Sequence, residues 1–152
     1  MLRMFTAGLL FFAFFVQAQA GEYASPEEAK ALATKAAEYV KANGREKAFA
    51  AFNEKEGQFR DRDLYVFAFD RKGNCLVHPL NPGLVGRDLM NMKDVDGKLL
   101  TRDIISVSGP DWVDYKWKNP QTNAVQAKTT FVVPVATPEG EIVVAVGAYK
   151  QQ

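Results

Sequence analysis

Apolar residues recur at Ala29, Leu32, Ala33, Ala36, Ala37 and Val40, the spacing of one face of an α-helix. Ser25 and Pro26 followed by Glu27 and Glu28 read as a helix start. The serine can cap, the proline suits the first turn, and acids suit the positive end. Asn43-Gly44 tolerates the left-handed turn that ends a helix. A second helix is predicted over about 45–55, with Ala48, Phe49 and Phe52 on one side and Gly57 after it. The period then shortens. Residues 64–70 (LYVFAFD) are apolar on both faces, with Leu64, Val66 and Ala68 pointing one way and Tyr65, Phe67 and Phe69 the other. Asp70 to Asn74 makes a turn, and 75–78 is the returning strand of a hairpin. Residues 79–97, rich in proline and glycine, form a long connection with at most a short helix around Leu89. A helix over 98–107 precedes three strands, at 112–118, 126–135 and 142–149. This order predicts an α+β domain with one antiparallel sheet partly covered by helices.

The first twenty residues stand apart. Arg3 is followed by the uncharged run Leu9 to Val16 and by Ala18-Gln19-Ala20, a small-x-small cleavage site. This is the pattern of a secretory signal peptide, with cleavage expected after Ala20 and the mature domain running over 21–152. The apolar run is about half the roughly 20 residues a spanning helix needs, and no later run matches it. Without this segment, basic and acidic residues balance at 18 each. A neutral domain is a poor nucleic-acid binder and a poor candidate for electrostatic membrane docking.

Candidate chemistry is sparse. The single cysteine, Cys75, excludes an internal disulfide, and one histidine cannot complete a metal shell with it. No cofactor motif and no nucleophile elbow occur. Strand alternation sends Cys75 and His78 to opposite faces, which argues against a Cys-His dyad. Asp94-Val95-Asp96-Gly97 fails the calcium-loop pattern and reads as a turn. Gly83 to Gly86 is too sparse for a phosphate loop.

Large rings with polar tips instead point to a small-molecule pocket. Tyr115 and Trp117 share one face of their strand with Val113, while Trp112, Asp114 and Lys116 share the other. His78 stands at a strand end before Pro79, fit either to serve a ligand or to tie down the following loop. Lys128, amid Thr129, Thr130 and Phe131, can snorkel outwards or pair with an anion. Arg87 and Arg102 are the next cations in reserve.

Taken in order, these segments resemble the single Cache domain, an extracytoplasmic sensor module of bacterial chemoreceptors and kinases. The carrying residues are Tyr65 to Asp70, Gly73, His78-Pro79, Leu84 to Leu89, Lys93 to Lys98, Trp112 to Pro120, Lys128 and Val146 to Tyr149. The resemblance implies a PAS-like five-stranded antiparallel sheet behind a long N-terminal helix. It also implies a pocket for a short organic acid such as acetate, propionate, pyruvate or lactate. His78, Tyr115, Trp117 and Lys128, with Trp112 less securely, are the implied ligand contacts. Family sensors feed an output domain through membrane helices, whereas this sequence stops at Gln152. The expectation is a freestanding periplasmic binding protein without cofactor or catalytic activity. The alternative is an accessory module docking on a membrane signalling or transport partner.

Overall fold

The computed structural model describes residues 22–150. Residues 1–20, expected to be a signal peptide, lie outside them.

Helix α1 (Pro26–Asn43) starts on a reciprocal cap. The Glu28 backbone N–H donates to Ser25 Oγ at 3.2 Å, and the Ser25 N–H donates to Glu28 Oε2 at 2.7 Å. Its buried face is Ala29, Ala33, Ala36, Ala37 and Val40. These small side chains let the helix lie close on the sheet. Gly44, at φ +80°, turns the chain into α2 (Arg45–Asn53), which ends two residues before the expected stop.

Six strands follow: β1 (Arg60–Asp61), β2 (Leu64–Asp70), β3 (Cys75–Val77), β4 (Asp111–Lys118), β5 (Val125–Thr137) and β6 (Gly140–Tyr149). Between β3 and β4 comes the short helix α3 (Leu100–Ile105). The sheet is antiparallel in the order β1-β2-β6-β5-β4, with β3 also pairing β2. β1 and β3 occupy opposite ends of the same β2 edge, so the five-strand expectation gains a two-residue strand too short to show alternation. Pro134 sits inside β5, which is allowed because the pairing of β5 with β4 stops at Val132, opposite Asp111.

The sheet separates two cores. Leu64, Val66 and Ala68 pack with Val144, Val146 and the helices, while Tyr65, Phe67 and Phe69 face the other way with Val143, Ala145 and α3. The predicted division of 64–70 is the one that forms. The connection over residues 79–99 closes this second core. It carries a single 3-10 turn at Pro82–Leu84, and not a helix at Leu89. Its return leg bonds the free edge of the hairpin, through Cys75 N–H to Arg87 O at 3.0 Å and Leu89 N–H to Gly73 O at 2.9 Å. The outer edge of the hairpin is thereby covered.

Alternation fails at one informative place. The β2–β3 register shifts between Ala68 and Phe69. Cys75 then packs with Phe69 on the side away from the helices, Val77 packs on the helix side, and His78 returns to the side of Cys75. Cys75 and His78 therefore share a face, contrary to the expectation from strict alternation. They still form no dyad. Cys75 Sγ is directed at Val77 O, and burial pushes the thiol up to about 11, so no thiolate is on hand.

Candidate ligand pocket

On the face away from the helices, a narrow cavity is lined by Tyr65, Phe67, Phe69, His78, Leu84, Met92, Leu100, Tyr115 and Trp117. β2, β4 and His78, just past the end of β3, supply the rings, and the connection and α3 supply the aliphatic lid. The walls close in on one another and leave room for roughly one water molecule.

Behind the rings stands Lys128, only 1% exposed. Its Nζ donates to Tyr65 Oη at 2.9 Å. It lies 4.4 Å from the Tyr65 ring centroid, 5.2 Å from Phe67, 5.1 Å from Tyr149 and 6.0 Å from Tyr115. The ring faces offer partial negative charge to an ammonium that has left water. None of the ion pairs formed among the described residues involves Lys128. Burial pulls its pKa down to about 7, with Asp63 opposing that shift from a distance.

Two further polar groups converge. The Asn81 backbone N–H donates to His78 Nδ1 at 3.0 Å. Burial, reinforced by the Lys128 charge, pulls His78 down to about 4. The imidazole is therefore neutral, with its proton on Nε2. His78 thus ties down the following loop through one nitrogen while its ring lines the cavity. Thr130 Oγ1 donates to Tyr115 Oη at 3.0 Å, which leaves the phenol's own proton for another acceptor. Burial raises the Tyr65 and Tyr115 hydroxyls above the ordinary tyrosine range, so both stay protonated donors.

The structure brings His78, Tyr115, Trp117 and Lys128 together. It does not bring Trp112. That ring is on the helix side of the sheet, 37% exposed, against Phe131 at 4.9 Å between centroids. Alternation along β4 demands this once Tyr115 and Trp117 face the cavity. Arg87 and Arg102, the reserve cations, are exposed. Arg102 is engaged with Met90 O and Asn91 Oδ1. Sequence reasoning missed Tyr65, Phe67 and Tyr149, which lie in strands apolar on both faces and offered no contrast. No cluster of metal-ligating side chains occurs among the described residues, and none of their helices is long and apolar enough to cross a membrane.

The family model for the single Cache domain 2 matches residues 13–151. The chain belongs to that family. Its Cache fold is shared by a methyl-accepting chemotaxis protein from Vibrio parahaemolyticus, with TM-score 0.68, 22% identity, and coverage of 81% of this chain and 86% of that one. A structure described as the basis for carboxylic acid recognition by a Cache chemosensory domain overlays with TM-score 0.61 at 22% identity, covering 82% and 88% of the two chains. In sequence, this Cache domain is 32% identical over 74 residues to the sensor histidine kinase MctS of Rhizobium johnstonii. It is 30% identical over 77 residues to the chemotaxis protein McpP of Pseudomonas putida. Each match spans 47% of this chain, but only 16% of the kinase and 14% of the chemotaxis protein. The family is one of extracytoplasmic sensor domains found in chemoreceptors and histidine kinases.

Proposed function

We propose that this domain is a periplasmic sensor module that binds a short monocarboxylic acid, of the size of acetate, propionate, pyruvate or lactate, and reports it to a membrane signalling partner. The observation that carries the reading is Lys128, a buried amine with no carboxylate beside it among the described residues. A bound carboxylate supplies the missing countercharge. His78 Nε2–H and the Tyr115 hydroxyl donate to the remaining lone pairs, and the Trp117 and Phe67 rings exclude water. The cavity as it stands holds about one water, so the connection bearing Leu84 and Met92 must move outwards to admit an acid. The relatives named above support the signalling role, and the carboxylic acid-recognising Cache structure supports the ligand class.

Titration calorimetry with propionate tests it. Lys128→Met keeps the bulk of the stem and deletes the charge. Losing a charge-assisted contact costs about 1.5–3 kcal/mol, roughly one to two decades in Kd. Equal affinity in the variant, or no thermal shift of the wild type with any small acid, sinks the proposal.

A further inference from the structure

Gly147 lies in the interior of β6, opposite Thr130 of β5. A Cβ placed there would stand 2.3 Å from Lys128 Cε, 3.1 Å from Lys128 Cδ and 2.4 Å from Thr130 Oγ1. Backbone conformation does not call for glycine at this point, since Gly147 is not among the residues with positive φ. The space does. Lys128 leaves β5 opposite Tyr149, yet its Nζ bonds Tyr65 on β2, a strand that pairs with the far side of β6. Its side chain crosses β6 through the gap that Gly147 leaves.

We propose that Gly147 is a positioning residue of the pocket: its missing side chain is the channel that carries the Lys128 ammonium across β6 to the inner end of the cavity. The channel stands on contacts alone. Its consequence for a ligand rests on the carboxylate reading. With the charge set at the Tyr65 end, an acid enters carboxylate first and its tail lies towards Leu84, Met92 and Leu100. A lysine held on β5 alone would leave the charge short of Tyr65 and orient no ligand this way.

Competitive acetylation with limiting acetic anhydride, read by mass spectrometry, tests the channel without any ligand. In the wild type, Lys128 is labelled at least about tenfold more slowly than exposed Lys41 and Lys72, because reaction needs local opening. In folded Gly147→Ala, the displaced amine is labelled at a rate like theirs, and propionate affinity falls about 10–100-fold. Protection of Lys128 that survives in folded Gly147→Ala overturns the proposal. Should Gly147→Ala not fold, Lys128→Ala/Thr130→Ala/Gly147→Ala decides. Both groups that the new methyl would strike are then trimmed, so the triple variant should melt within a few degrees of Lys128→Ala/Thr130→Ala. Failure of the triple variant to fold, beside a folded double, assigns the glycine to the β6 backbone and overturns the channel. A wild type that ignores propionate while Lys128 labelling behaves as stated discards the ligand class and leaves the channel standing.

Discussion

Lys128 is a fully buried cation, and its protonation ties the stability of the domain to pH. In the unfolded chain the amine has its ordinary pKa of 10.5, and in the fold burial lowers it to about 7. Between those values the unfolded chain binds more protons than the folded one, so stability rises with pH across that window. Below about pH 7 both forms carry the charge, and the desolvation cost is fully felt. The unliganded melting temperature should therefore climb from pH 7 to 9.5, by roughly 5 °C or more for a domain of this size. In Lys128→Met it should stay level over the same range. Calorimetric scans at four pH values separate the cases, and parallel curves for the two proteins rule out a depressed lysine. The sequence made Lys128 visible as a cation among hydroxyl and apolar neighbours. Tyr65 and Gly147 were hidden. Both belong to strands apolar on each face, and their roles depend on which strands lie side by side, information that no single strand's alternation contains.

Among the elements, those with strong local signals were legible. α1 announces itself by its cap, its alanine stripe and Asn43-Gly44, all of which act within a few residues of one another. β1 and the β2–β3 register shift were not, because a two-residue strand has no period and a bulge breaks the one it interrupts. The Asp94 turn was legible as a turn, but its function as a clasp was not. Asp94 Oδ1 accepts the N–H groups of Asp96 and Lys98, both at 2.9 Å, while Oδ2 accepts the Lys116 N–H of β4 at 3.0 Å. Lys116 Nζ also pairs with Asp96 at 2.9 Å. One carboxylate thus folds the turn and pins the connection to the edge strand beside the cavity. Asp94→Ala should cost about 1–2 kcal/mol, in line with the loss of a side-chain cap. Hydrogen exchange should quicken across residues 90–99 and in β4 near Lys116, and protection in α1 should hold. Uniform loss of protection throughout the domain would mean that the turn supports global stability and is no clasp.

At the scale of the whole molecule, the sheet separates two faces: helices and small residues on one, rings, the long connection and a buried amine on the other. The leader is a separate proposal. Expressed with its first twenty residues in a Gram-negative host, the protein should reach the periplasm with Gly21 as its new N-terminus, and intact mass measurement checks this. On the proposed carboxylate reading, selectivity follows from charge placement. The cavity walls hold no aspartate or glutamate, and His78 is held neutral. A ligand's first carboxylate can meet Lys128. A second carboxylate would be left among Leu84, Met92 and Leu100, and an α-ammonium would find no countercharge. Burying an unpaired charge costs several kcal/mol, far more than an extra methylene returns. Propionate should therefore bind at least about tenfold more tightly than succinate or alanine, although succinate carries two carboxylates and alanine nearly matches propionate in size. Titration of all three at pH 7 gives the ranking. Succinate or alanine in first place would require a second charged group at the lid end and would relocate the site away from this cavity.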